Sequence, residues 1–167
     1  MDRQTMVDLV RYQTWANDRI MTTAVALSGE ELRRAGTFDH GTAFQTLRHV
    51  VDSEWGWRVY LEGKGPEGFV WEMFALEDLS SIRSFCTEED ARFEAFVAVL
   101  DDVSLHKSMQ IGPRLDGSDV TRPLWFVLMH VLNHGTHHRS ELARYFTECG
   151  YSPDDLDLIG VPYPAEG

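Results

Sequence analysis

The sequence predicts an all-α protein built as a four-helix bundle. Four long segments carry apolar residues at the spacing of an amphipathic helix. Helix-start signals lie at 28–31 and 42–45, and no segment has a convincing strand pattern. The 167 residues are 43% hydrophobic, with no repeat or composition break. One core can serve a chain of this size, so we predict a single domain over residues 1–167.

The first two long helices precede Gly63. The first is predicted over residues 2–27, where apolar side chains follow helical spacing. A capping box at "SGEE" (28–31) then opens a short helical turn. The second long helix starts at Thr42, which is expected to form a capping box with Gln45, and it runs to Leu61. The turn-rich "GKGPEG" (63–68) is predicted to be a loop.

The third and fourth helices are separated by an irregular segment. The third is predicted over residues 80–101. Residues 104–120 hold "IGPRLDG" and indicate an extended loop or a short hairpin. The last helix is predicted to start near Thr121, with Pro123 in its first turn, and to end at Gly150. The connections 64–79 and 102–120 are long enough to cross a bundle end, so the helix order is left open by spacing alone.

The charge balance excludes several classes of partner. Fifteen Lys and Arg stand against 27 Asp and Glu, a net charge of −12. Nucleic acids and anionic membranes attract basic surfaces, so neither is an expected partner. No apolar run fits a signal peptide or a membrane span. Cys86 and Cys149 cannot form a disulfide framework, which favours a cytoplasmic location.

The histidines of the last helix divide between two faces. With Val131 as the centre of the buried face and 100° per residue, His138 lies about 20° and His134 about 60° from that line. His130 and His137 lie about 100° and 120° away. His134 and His138 are therefore predicted to face inward, and the other two outward.

An inward i, i+4 histidine pair has two interpretations. It is the spacing that a metal needs from one helix. It could equally be two core histidines, each hydrogen-bonded to a neighbour, and spacing alone leaves both open. His49 is the candidate third ligand. It shares a stripe with Ser53 and Gly56 that is either the wall of a cavity or a solvent-facing surface.

Two hydrolytic site types are unlikely from the motifs. A zinc-protease signature needs a glutamate directly after the first histidine, where this chain has Gly135. Ser140 has no nucleophile-elbow context.

Three sequence blocks resemble the DinB family, the DinB/YfiT-like metalloenzymes. The blocks are "YQTWANDRI" (12–20), "TLRHVVDSEWGW" (46–57) and "HVLNHGTHHRSEL" (130–142). The resemblance implies a four-helix bundle in up-down-down-up order, commonly a homodimer. It also implies a divalent metal held by three histidines, which fall on His49, His134 and His138. The departure is Ser140-Glu141, where the family often has Gly-Gln, and this affects the expected substrate preference rather than the metal.

The resemblance also implies a chemistry. Three histidines leave a coordination position open, which is the pattern of catalytic sites. Relatives of this fold include bacillithiol transferases and a mycothiol-dependent isomerase. The implied function is a metal-dependent transferase that joins a low-molecular-weight thiol to an electrophilic small molecule in detoxification or stress response. Zn or Ni are the expected ions, although histidine ligands suit Fe and Cu too.

Two carboxylates are candidate catalytic groups. Asp52 lies one turn after His49, and Glu141 lies three residues after His138. Either could orient a ligand imidazole or move a proton, and either could be an ordinary surface carboxylate. Trp57 and Tyr60 could line the substrate cavity or simply pack in the core.

Two other functions use the same residues. The metal could stabilise a dimeric, non-enzymatic binding protein. It could also support a metal-hydroxide hydrolase.

Overall fold

In a computed structural model, which describes residues 1–65, 68–112 and 117–162, the chain is predominantly α-helical. The described helices are α1 (Arg3–Ala24), α2 (Gly29–Arg33), α3 (Ala43–Leu61), α4 (Val70–Phe74), α5 (Leu79–Ala98), α6 (Asp102–Leu105) and α7 (Leu124–Glu148). The strands β1 (Ser108–Ile111) and β2 (Val120–Pro123) form a two-stranded sheet, and a 3₁₀ turn follows at Leu158–Gly160. The long helices α1, α3, α5 and α7 match the four predicted segments. The short α4 and α6 lie in the two predicted connections.

Side-chain caps set where the helices begin. Asp2 caps α1 by accepting from the Thr5 N–H at 2.8 Å. The predicted capping box at Ser28 is present. Thr42 caps α3 by accepting from the Gln45 N–H, but the Gln45 side chain accepts from the Thr42 hydroxyl instead of binding its backbone. The full capping box predicted there is therefore wrong.

The end of α7 agrees with the prediction. Gly150 has φ +93°, and two backbone hydrogen bonds close the helix, from Gly150 to Thr147 and from Tyr151 to Phe146. This is the pattern of a Schellman motif, in which glycine takes the left-handed position without strain.

The start of α7 differs from the prediction. Residues 120–123 form β2, which pairs antiparallel with β1, and the helix begins three residues later than expected. Thr121 pairs with Gln110, and Leu124 donates to Lys107 at 3.0 Å, so tertiary pairing decides the conformation of this segment. Of the two forms expected before the last helix, an extended loop or a short hairpin, the structure has the antiparallel strand pair of a hairpin. Residues 66–67 and 113–116 of the predicted loops lie outside the described residues.

The four long helices share one interior. α1 packs against α5 and α7, and α3 packs against the same two helices. Two apolar clusters fill the interior. One includes Ile20, Leu47, Ile82, Leu142 and Phe146; the other includes Met6, Val10, Phe93, Leu128 and Val131.

None of the helices among residues 1–65, 68–112 and 117–162 combines the length and apolar character that crossing a membrane requires.

Candidate metal centre

Three imidazoles from two helices lie next to one another. The Nε2 atoms of His49 and His134 are 3.2 Å apart, and those of His134 and His138 are 3.3 Å apart. His49 comes from α3, and the other two come from successive turns of α7. His138 is buried, whereas His49 and His134 are half-buried. The structure thus brings together all three histidines that the sequence singled out.

The helical geometry of α7 explains this arrangement. Side chains four residues apart lie one above the other on a helix, and α3 packs against this face. His130 and His137 are exposed, as the helical wheel predicts. His137 instead forms a 3.2 Å surface contact with Asp39.

Burial favours the neutral form of two of these imidazoles, His49 and His134. It lowers the pKa of His49 to about 3, and the nearby His40 and His134 add to the effect. Burial also lowers the pKa of His134 to about 4, assisted by His138 and His130. Neutral imidazole is the form that binds metals, because its second nitrogen keeps a free lone pair.

Hydrogen bonds on the opposite ring nitrogens orient two of these lone pairs. His138 Nδ1 lies 2.7 Å from the Glu141 carboxylate, and His134 Nδ1 lies 3.2 Å from the Ser53 hydroxyl. A neutral ring that donates from Nδ1 has a bare Nε2. In the tautomer in which both rings donate from Nδ1, the Nε2 atoms of His134 and His138, 3.3 Å apart, are both free to bind one cation.

The spacing of the nitrogens fits a metal ion. Ligands about 2.0–2.1 Å from a tetrahedral zinc ion are separated by about 3.3 Å. The observed separations of 3.2 and 3.3 Å agree with that value. Among the described residues, the three histidines whose ligand atoms lie close enough together to hold a metal ion are His40, His49 and His138.

A fourth imidazole, His40, was not predicted from the sequence. It lies between α2 and α3, and its ring stacks on His49 with the centroids 3.7 Å apart. Ligand atoms of His40, His49 and His138 all lie within 4.8 Å of one another. Helical periodicity gives no information on a residue in a connecting segment. The only sequence signal was its position two residues before the helix-capping Thr42.

The two candidate carboxylates lie in different settings. Glu141 contacts His138 and also accepts from the Asp39 backbone N–H at 3.1 Å. Asp52 accepts from the backbone N–H of Val70, at 2.7 Å, in the first turn of α4. Burial raises the pKa of Asp52, which favours its protonated form. A catalytic role for Asp52 stays a prediction.

Two cavities lie beside the histidines, one at His49 and the other at His130. One, of about 270 Å³, is lined by His40, Gln45, Arg48, His49 and Trp71. The other, also about 270 Å³, is lined by Trp57, Ile111, Arg122, Phe126, Val127 and His130. The His130 ring lies 6.0 Å from that of His134. Of the two aromatic residues considered from the sequence, Trp57 lines this second cavity, and Tyr60 donates to the Gln110 carbonyl of the hairpin.

A polar layer separates the two apolar clusters of the interior. It consists of Gln13, Asn17, Glu54, Asp90 and Arg139, all buried. Asn17 is at its centre: its amide donates to Glu54 at 3.1 Å and to Asp90 at 2.8 Å, and its carbonyl accepts from Arg139 at 2.9 Å. Asn17 and Arg139 belong to the sequence blocks "YQTWANDRI" and "HVLNHGTHHRSEL". These two residues of the blocks therefore serve the core, and Arg139 positions the helix that carries the histidine pair.

Burial favours the protonated form of both carboxyl groups in the polar layer. Burial raises the pKa of Glu54 well above its usual value, and the neighbouring Asp90 adds to the effect. An ionised Glu54 would leave its Oε1 without a hydrogen-bond partner, whereas a protonated one can donate to Asp90. Burial raises the pKa of Asp90 to about 7 despite hydrogen bonds from Asn17 and Glu54.

This raised pKa gives an expected pH dependence. Between about pH 4 and pH 7 the folded protein holds a proton on Asp90 that the unfolded chain has released, so the free energy of unfolding falls as the pH rises. The free energy of unfolding that is lost as folded Asp90 releases its proton is on the order of 4 kcal/mol. The Asp90→Asn variant has no carboxyl group at this position, so this part of the pH dependence should be absent from it. Urea unfolding of both proteins at pH 4 to 8 measures this difference. As the pH rises, the free energy of unfolding of the variant should increase relative to that of wild type. A constant difference between the two proteins would contradict a raised Asp90 pKa.

Comparison with known proteins shows which family the chain resembles over its length. The sequence profile of the DinB family matches residues 1–166. The chain is also 26% identical, over 156 residues, to Protein DinB of Bacillus subtilis (strain 168), and this similarity covers 90% of each protein. The profile match extends over nearly the whole chain, including all four long helices. The chain belongs to the DinB family.

Proposed function

We propose that His49, His134 and His138 bind one divalent metal ion, and that the protein is a metal-dependent enzyme that transfers a low-molecular-weight thiol to an electrophilic small molecule. The observation that carries the proposal is the position of His134 Nε2, 3.2 Å from His49 Nε2 and 3.3 Å from His138 Nε2, beside an open cavity. Zn or Ni is the proposed ion. Detoxification or stress response is the proposed role.

The reaction forms a carbon–sulfur bond. The thiol loses its proton, its sulfur attacks the electrophilic carbon, and the leaving group departs with its electron pair. A bound divalent ion lowers the pKa of a thiol and so supplies a thiolate at neutral pH. Glu141 fixes the ring of His138, and Ser53 fixes that of His134. Asp52 is a proposed acceptor of the thiol proton in its ionised form, which the raised pKa makes a stronger base.

The two cavities support a reaction with two substrates. The cavity at His49 is lined mainly by polar side chains, which suits a polar thiol. The cavity at His130 is lined by Trp57, Phe126, Val127 and Ile111, which suits an apolar electrophile. A hydrolase would need one organic substrate and water.

Thiol conjugation tests this function. Zinc-loaded wild type should accelerate the conjugation of a thiol with 1-chloro-2,4-dinitrobenzene, and His138→Ala should react at the uncatalysed rate. The exposed His137→Ala variant is the matched control and should retain the activity. Equal rates for wild type and His138→Ala would reject the proposal. Hydrolysis of ester substrates without any thiol would favour the hydrolase instead.

Glu141 is proposed as a positioning residue for His138. Partners of this kind contribute roughly 10–100-fold to metal affinity. Glu141→Gln is therefore expected to weaken zinc binding by about that factor, measured by competition with a chromophoric chelator. Glu148→Gln, at the end of the same helix, is the control and should bind zinc as wild type does. Unchanged affinity in Glu141→Gln would show that the 2.7 Å contact does not support the metal site.

His40 gives specific support to the non-enzymatic alternative. If His40 were a fourth ligand, the shell would be closed, which is the pattern of structural zinc sites. Its ligand atom lies within 4.8 Å of those of His49 and His138. X-ray absorption of the zinc protein distinguishes the two functions. Three imidazoles with one exchangeable ligand favour the enzyme, and four imidazoles favour the binding protein.

Contacts between the helices support the up-down-down-up order. Residues 13 and 17 of α1 meet residues 135 and 139 of α7, so these helices run in the same direction. Arg3 meets Ala98 while Asn17 meets Asp90, so α5 runs opposite to α1.

We also propose a single domain over residues 1–167, a homodimer, a cytoplasmic location and no nucleic-acid partner. The family resemblance supports the dimer. The −12 charge supports the absence of nucleic acid.

A further inference from the structure

The cavity beside His49 contains a cationic side chain. Arg48 lines it together with His40, Gln45, His49 and Trp71. At about 270 Å³ the cavity is close in size to the smallest pockets that hold small molecules. A molecule bound there would contact both the Arg48 guanidinium and the histidine cluster.

The guanidinium is held by stacking rather than by an ion pair. It lies 4.4 Å from the centroid of the Trp71 ring and 5.9 Å from that of Phe44. Stacking fixes the plane of an arginine head and leaves its N–H edge available for a planar anion. Among the described residues, the buried Nε of Arg48 has no hydrogen-bond acceptor.

Two carboxylates near Arg48 accept hydrogen bonds from backbone N–H groups of other residues. Asp52 accepts from the Val70 N–H, and Glu72 accepts from the Phe69 N–H. Asp52, Glu77 and Glu72 also act electrostatically on Arg48, and in their ionised forms they oppose a bound anion. Affinity for an anion would then depend on direct contact with the guanidinium.

We propose that this cavity binds the acidic group of an anionic small molecule, with Arg48 as its anchor. The inference rests on the proposed thiol transfer, and it gives that reaction a substrate class: thiols that carry a carboxylate. The carboxylate contacts Arg48, and the sulfur is directed toward His49.

Calorimetric titration of the zinc-loaded protein tests the anchor. The probes are 4-mercaptobutyrate, its uncharged analogue 4-mercapto-1-butanol, and butyrate, which has no thiol. Arg48→Met removes the charge while keeping a long side chain against Trp71. Arg48→Lys keeps the charge. Arg83→Met is the matched control, because Arg83 lies on α5 and donates to Thr22.

In wild type and Arg83→Met, the charged thiol should bind at least about tenfold more tightly than the uncharged one, as a charge-assisted contact provides. The preference should vanish in Arg48→Met and return in part in Arg48→Lys. Equal affinities in wild type, or a preference that survives Arg48→Met, would overturn the anchor and leave the thiol function intact. If neither thiol binds, Arg48-dependent binding of butyrate supports the anchor while the thiol function fails. If neither thiol binds and butyrate binds equally to wild type and Arg48→Met, or does not bind at all, both the anchor and the thiol function are overturned.

Discussion

The His134→Ala variant is expected to lose its metal. His134 Nε2 lies between the other two nitrogens, 3.2 Å from His49 and 3.3 Å from His138. Without it, two imidazoles remain, and the loss of affinity should exceed the roughly 10–100-fold cost of removing an outer partner. Elemental analysis of untagged protein after dialysis should find about one divalent ion per wild-type chain and almost none in the variant.

His130→Ala is the matched control for this loss. His130 lies one turn before His134 on the same helix, but it is exposed. The control should keep its metal. Unfolding gives an independent readout, because free metal at 100 times its dissociation constant stabilises a binding protein by about 2.7 kcal/mol. That gain should appear in wild type and His130→Ala and be absent in His134→Ala. Full occupancy in His134→Ala would remove this residue from the ligand set.

The four long helices could be predicted because their signals are local. Amphipathic spacing and the cap at Thr42 act within one or two turns of chain. The start of α7 could not be predicted in the same way. Residues 120–123 adopt a strand because β1 pairs with them, and that pairing depends on how the whole segment folds back.

In the candidate site, too, the features set by local sequence could be predicted and those set by tertiary contacts could not. The inward facing of His134 and His138 depends on one helix, so the angle per residue was enough to predict it. The stacking of His40 on His49 depends on where a connecting segment lies, and nothing in the local sequence specifies that. The polar layer did leave a signal. Asp90 lies four residues after Cys86, on an apolar face of α5, where a charged side chain needs a buried partner.

Replacing Arg139 is expected to destabilise the protein strongly. Arg139 is 2% exposed, and its guanidinium donates to Asn17 at 2.9 Å and to Thr136 at 3.1 Å. Its charge faces the carboxyl groups of Glu54 and Asp90. Arg139→Met would leave the buried Asn17 carbonyl oxygen without this donor, and a buried polar group left unsatisfied costs about 1–3 kcal/mol. Urea unfolding with the metal chelated measures this cost without a contribution from metal binding.

Arg144→Met separates the burial of Arg139 from the mere loss of a charge on α7. Arg144 is 62% exposed and lies 3.5 Å from Glu148, so its loss should cost at most about 0.5 kcal/mol. Equal losses in the two variants would mean that Arg139 does not stabilise the polar layer. If instead Arg139→Met kept its stability and lost its metal, Arg139 would act on the histidine cluster directly. We expect the opposite: a weakened fold whose remaining folded molecules still bind metal, because no atom of Arg139 is needed to complete the three-histidine set.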